Sequence, residues 1–391
     1  MGQDGLAVNL KRLRLYKRLT QAEVAGKAGI SVQAFRNLEA GRSQPRVRTL
    51  EALAEALEVR IAELLSPPGK LQAVRFRAKK KLRARDHILV RLAKWLEDFT
   101  ELERLAGSPS RAKLPRISAD WGEGSQRGPE AAREVRRGFG LSQEDTIRDI
   151  CGLLEDNGIK VFTLPVASDA FFGLSVADED GGPAIVVNVW DRISVERWIF
   201  TAAHELGHLV LHHDAFEVQK TEEDQKEEKQ ANIFAAHFLM PAEAFLREWS
   251  KSAGMRLVDR VLWVKRLFSV SYKTVLYRLH ELGSMPNIRA RFYYEFERHY
   301  GKKLRKAEEP QALPPESFLA PEARKAKEPQ TLKDVDFSEK GFARLVREVL
   351  LDGHISLGRA SEILGLDLPS MRELAASWAA EKEPTFGRPA C

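Results

Sequence analysis

Cysteine is almost missing: the 391 residues hold two, Cys151 and Cys391. That is too few for a disulfide framework or a cysteine-rich zinc site. Long apolar runs are missing as well. No stretch approaches the ~18 residues a membrane-spanning helix needs, and the opening "MGQDGLAVNLKRL" has no apolar core of the kind secretory leaders carry. The expectation is a cytoplasmic protein with no membrane partner. Nor is there an even spread of charge. Residues 1–86 carry 19 Lys/Arg against 8 Asp/Glu, a net of +11, while the whole chain sums to +6. A basic head on a mildly acidic body is the electrostatic footprint of a module that meets DNA phosphates.

What is present is ordinary globular material, 43% hydrophobic and 30% charged, long enough for two or three domains with separate cores. The expected fold is multidomain and mainly α with a small β-sheet. Residues 1–66 read as a bundle of short helices. Residues 67–129 read as a linker that opens on Pro-Pro-Gly, continues through a basic run and leads into a connecting helix. In that helix Ile88, Leu92, Trp95, Leu96 and Phe99 recur at helical spacing, and Gly107 and Pro109 end it. Residues 130–300 form an α+β body. A helix is expected around "QEDTIRDICGLLEDNGI", with strands in "KVFTLPV" and "FFGLSVADEDGGPAIVVNVW" and Asp180-Gly181-Gly182 turning a hairpin. Ser194 is the N-cap expected for "VERWIFTAAHELGHLVLHH". An acidic loop, Asp214 to Lys229, then leads to the helix "KQANIFAAHFLMP". Residues 301–335, rich in Pro, Lys and Glu, read as a second linker. Residues 336–391 form a helical region with helix-turn-helix spacing, whose mixed charge suits a protein partner better than DNA. No internal repeat is visible.

The head has its own logic. Within "TQAEVAGKAGISVQAFRNLEAG", residues 20–41, Thr20 caps a helix whose Val24, Ala25 and Ala28 face inward. Gly29 permits a tight turn, and Ser31 caps a second helix with Phe35 and Leu38 buried. Val32, Gln33, Arg36 and Asn37 are left facing outward near the end of that helix that enters a major groove. Gln and Asn suit adenine and Arg suits guanine. The stretch resembles the helix-turn-helix of the Cro/lambdoid repressors. The resemblance implies that Gln21 and Ser31 hold phosphates, that Arg14 and Glu39 form an ion pair, and that the head binds paired half-sites as a dimer.

"TAAHELGHLVLHH", residues 201–213, carries the chemistry. His204 and His208 are four apart, so on a helix they lie ~40° round from each other and can meet at one ion. Zinc favours neutral nitrogen ligands, and a catalytic zinc takes three protein ligands. Glu205, ~100° round from His204, is badly placed to ligate but well placed to accept a proton from an attacking water. This is the H-E-x-x-H arrangement of metallopeptidases. Gly207 lets another segment approach closely. A third ligand must come from elsewhere. Glu228 and Asn232 are also spaced four apart, on one face of the next helix. Similarity to thermolysin-type peptidases implies that Glu228 ligates and Asn232 orients a ligating histidine. Glu227, ~100° away, is the alternative. His212, a turn beyond His208, is read as supporting the site and His237 as ordinary packing.

"RWIFTAAHELGHLVLH" followed by "EKQANIFAAHFLMP" resembles the ImmA/IrrE family of bacterial and phage metallopeptidases over roughly residues 130–300. The resemblance implies a zincin-like domain with a small sheet beneath the metal helix. It implies Zn²⁺ as cofactor, with Mn²⁺ in its place as a possibility, and Glu228 as the third ligand. By the same resemblance the substrate is a helix-turn-helix repressor, and cleavage switches on stress-response or mobile-element genes. Two other readings stay open: a transcription regulator whose metal domain senses or scaffolds, and a toxin–antitoxin component.

Overall fold

The computed structural model describes residues 3–17, 19–59, 61–65, 71, 73–75, 85–109, 112, 114–115, 126–212, 216, 224–283, 287–305, 308–310 and 332–380. The chain divides into two compact units. One comprises residues 1–71 with 81–101, the other residues 72–80 with 102–391. In chain order the elements are α1 (Gln3–Tyr16), α2 (Gln21–Lys27), α3 (Val32–Glu39), α4 (Val47–Ala56), α5 (Ile61–Leu65), β1 (Val74–Arg75), α6 (Arg85–Ala106), α7 (Arg127–Gly138), α8 (Ile150–Asp156), β2 (Lys160–Leu164), β3 (Gly173–Val176) and β4 (Ala184–Asn188). They continue with α9 (Val195–Leu211), α10 (Gln225–Leu239), α11 (Ala242–Lys251), α12 (Leu257–Leu267), α13 (Tyr272–Glu281), α14 (Ile288–Tyr300), α15 (Gly341–Leu351), α16 (Leu357–Leu364) and α17 (Leu368–Ala380). The protein is multidomain and mainly helical, with a small four-stranded sheet.

In the first unit α2 starts where its cap dictates. Thr20 accepts from the Glu23 backbone while the Glu23 side chain bonds back to Thr20, a reciprocal capping box. Gly29 turns the chain at φ +63°, a conformation that strains any residue with a Cβ. The Ser31 hydroxyl then accepts from the Ala34 amide at 3.1 Å and starts α3. Val24, Ala25, Ala28, Phe35 and Leu38 are buried, packed with Leu10, Leu13, Leu53 and Leu57. Arg14 Nε meets Glu39 Oε1 at 2.6 Å, tying α1 to the end of α3.

In the second unit the sheet order is β1-β3-β4-β2. β4, "AIVVN", is buried at every position. It is paired in parallel with β2 and antiparallel with β3, which forms the expected hairpin. α9 packs on β3 and β4, with α7 and α10 against its other sides. Three expectations give way to tertiary contacts. The helix expected around residues 143–159 spans Ile150–Asp156 alone. The Arg136 guanidinium, itself buried, donates to the carbonyls of Ser142, Asp145 and Phe238, and so holds residues 142–145 as a turn. Asp149 then caps α8 through the Gly152 amide. The acidic stretch before "KQANIF" is helical from Gln225, because Asp224 caps the Lys226 and Glu227 amides. And Val74–Arg75, inside the basic linker stretch, forms an edge strand on β3. The helices α15–α17 gather their own apolar cluster, Val346, Val349, Ala360, Ile363 and Met371, around Leu102. Among the described residues no helix is long and apolar enough to cross a membrane.

Candidate metal centre

α9 is apolar on nearly all sides, so it lies inside the unit and presents only a few polar groups to a cleft. His204 and His208 leave it one turn apart. Their Nε2 atoms face each other at 3.0 Å. α10 comes alongside because Gly207 has no side chain: a Cβ there would lie 2.9 Å from the Phe234 ring. That approach brings Glu228 across. Its Oε2 lies 3.3 Å from His204 Nε2 and its Oε1 3.2 Å from His208 Nε2. Ligand atoms of the three residues all fall within 4.8 Å of one another. Two imidazole nitrogens and one carboxylate oxygen, converging from two helices, are a donor set that fits a divalent transition cation. Glu227, the alternative from spacing, is engaged by Arg75 and is not in this group.

Protonation states agree with that chemistry. Burial, first among the causes, holds the His208 imidazolium well below its ordinary range, so the ring stays neutral. Burial pushes the Glu228 carboxyl up, but the two imidazoles beside it more than offset that, and the carboxyl ends below its ordinary value. Behind His208 sits His212, with the two Nδ1 atoms 3.0 Å apart. His212 Nε2 in turn faces the Gln230 oxygen at 2.9 Å. An amide oxygen only accepts, so His212 carries its proton on Nε2 and offers its Nδ1 lone pair. His208 must then donate from Nδ1, which leaves its Nε2 lone pair pointing into the cluster. The residue within hydrogen-bond distance of His208 on this side is thus His212, not Asn232. Asn232 lines the cleft, is exposed, and makes no hydrogen bond to either histidine. It sits a full turn beyond Glu228, while Gln230, between them in sequence, faces His212. His237 bonds Glu281 instead and does not line the cleft.

Glu205 occupies the same cleft from a different side of α9. Ser175 of β3 donates to its Oε2 at 2.9 Å. Gly173, two residues before Ser175, lets strand and helix touch, since a Cβ there would lie 2.5 Å from Thr201 Cγ2. Burial is the main reason the Glu205 carboxyl is pushed up to about 7, against the opposing pull of the His204 charge. A carboxylate poised near neutrality both accepts and returns a proton. Two arginines complete the walls. Arg197 stacks over Phe172 at 4.3 Å; it stands seven residues before His204, so helical periodicity alone could have placed it on this face. Arg75 gave no such signal.

In the head, Gln33 and Arg36 are exposed on α3, whereas Asn37 and Val32 are half-buried, Val32 partly against the core. Gln33 donates to Asn37 at 3.3 Å. Arg36 Nε donates to the Gln21 oxygen at 3.2 Å, and the Gln21 amide donates to Glu39. Ser31 is exposed, and its cap accepts a bond, leaving its hydroxyl proton available to an outside acceptor.

Comparison with known proteins agrees with both halves. Residues 154–280 match the M78 peptidase family model, described as the IrrE N-terminal-like domain. Residues 6–65 match a helix-turn-helix domain model. An uncharacterized HTH-type transcriptional regulator of Sinorhizobium fredii (strain NBRC 101917 / NGR234) is 49% identical over 59 residues, spanning 15% of this chain and 77% of that protein. The chain thus belongs, through its head, with the helix-turn-helix regulators, and over residues 154–280 it resembles the IrrE N-terminal-like domain of the M78 peptidases.

Proposed function

We propose that the protein is a DNA-binding regulatory zinc endopeptidase, and that its substrate is a helix-turn-helix repressor. The observation that carries this reading is the convergence of His204, His208 and Glu228 beside a buried Glu205. His204, His208 and Glu228 would hold Zn²⁺, or Mn²⁺ in its place. When bound, the cation supplies Lewis acidity, which makes water more acidic and polarises a scissile carbonyl. The chain's own groups do the rest. Glu205 takes the proton of the attacking water and returns it to the leaving amine. Ser175 fixes Oε2 of that carboxylate and leaves Oε1 to handle the proton. His212 and Gln230 keep His208 in the ligating tautomer.

The head gives the cleft its selectivity. A peptidase bound to DNA through Gln21, Ser31, Val32, Gln33, Arg36 and Asn37 meets a repressor at the same locus at a raised effective concentration. Binding as a homodimer, inside the cytoplasm, suits that role. The test incubates the purified protein, loaded with zinc or manganese, with the Cro-type repressors encoded beside its gene. Wild type should cut one of them at a defined bond and Glu205→Gln should not. If wild type leaves every one intact, the cleavage reading fails. If Glu205→Gln then still regulates in cells while Arg36→Ala does not, the metal domain is a sensor or scaffold.

A further inference from the structure

Arg75 lies in a stretch that reads as a solvated basic linker, yet it is 2% exposed. A guanidinium taken out of water is costly unless it is paired and hydrogen-bonded. Its partners are the two neighbouring acids of α10: one nitrogen donates to Glu227, the other to Glu228 Oε1 at 3.0 Å. The backbone beneath it is fixed independently. Val74 pairs with Val176 and Arg75 with Ser175. Ala73 donates to Asp180 at 2.7 Å and accepts from the Ala177 amide at 2.9 Å.

The register matters. Directly opposed residues of an antiparallel pair point to the same face. Arg75 and Ser175 are such a pair, and each grips one acid of the cleft, Glu228 and Glu205 respectively. One rung of the sheet therefore sets both carboxylates. Two adjacent acids begin α10, and only one of them joins the histidines. Arg75 engages the Glu227 carboxylate and holds Glu228 by Oε1, with Oε2 left on the His204 side.

We infer that Arg75 is a positioning residue for the metal centre, acting through Glu228. This rests on the metal reading proposed above. It makes the strand that follows the head, rather than residues 154–280 alone, part of the site. The experiment measures zinc affinity of the full chain by competition with a chromophoric chelator, with far-UV circular dichroism and thermal melting alongside. The proteins compared are wild type, Arg75→Met and Arg75→Lys, each also in a Glu228→Ala background. Met fills the buried space without charge, and Lys keeps one cation without the fork. Arg75→Met should weaken zinc binding about 10–100-fold, the range for groups that orient a ligand. Arg75→Lys should recover part of this, and neither change should matter once Glu228 is gone. Unchanged or tighter binding in Arg75→Met overturns the inference, as does an equal loss in both backgrounds, which would mark a merely structural role. If wild type itself binds no zinc, the metal reading falls together with it. If wild type binds and Arg75→Met binds equally, only Arg75's role falls.

Discussion

Glu205→Gln removes a charge while keeping a shape, and its effect on stability can be worked out beforehand. The residue is 7% exposed, and its carboxylate accepts one bond from Ser175, which a glutamine oxygen can accept equally. Burial raises its pKa from 4.5 to about 7 in the folded protein. A shift of that size corresponds to about 3 kcal/mol. Because the folded value is the higher one, the folded state binds the proton more tightly. The associated stability is fully present below pH 4.5 and is lost as pH rises through 7. Glutamine has no proton to lose. In metal-free protein the variant should therefore match wild type in acid, pull ahead between these values, and lead by about 3 kcal/mol at pH 8. Urea titrations in excess chelator across this range, read by tryptophan fluorescence, measure the gap. A gap that is independent of pH, or a variant less stable at pH 8, would refute the idea that the fold bears the cost of a buried anion there. With zinc restored, affinity should stay within a few-fold, since no ligand atom is altered, while cleavage should drop about 10²–10⁴-fold.

Gly207→Val should push α9 from α10, because its first carbon already meets Phe234 at 2.9 Å. The expected cost is about 1–3 kcal/mol, together with weaker zinc binding because Glu228 rides on α10; thermal melting and zinc titration report both. Phe35→Ala empties a fully buried position of the head and should cost about 3–5 kcal/mol. Gel shifts with duplex DNA at low salt should disappear while zinc binding persists, and retained DNA binding would contradict the packing described. His212→Ala should weaken zinc binding about 10–100-fold, with secondary structure unchanged by circular dichroism; wild-type affinity would dismiss its orienting role.

The legible parts of this protein share a short range. The caps at Thr20 and Ser31, the turn at Gly29 and the inward faces of α2 and α3 are encoded within a few residues. The same holds for the four-residue step from His204 to His208, with Glu205 between them, and for Gly207 as a point of close approach. Spacing also picked out Glu228, although a family likeness was needed to prefer it over Glu227. The misses have a different character. The helix expected around residues 143–159 is shortened by Arg136, whose contacts reach Phe238 about a hundred residues on. Asn232 lines the cleft as its spacing suggests, while the ring at hydrogen-bond distance behind His208, that of His212, comes from the end of the same helix.

Periodicity and side-chain chemistry, both local, settled that a basic helix-turn-helix head precedes a helix bearing two histidines and a glutamate. Tertiary structure alone decided what raises the affinity of Glu205 for its proton, and that Arg75 joins Glu227 and Glu228. These depend on strand register and on helices packing at contact distance, between residues up to 153 positions apart. A pairing of that kind is set by the folded core as a whole, so no window of sequence contains it.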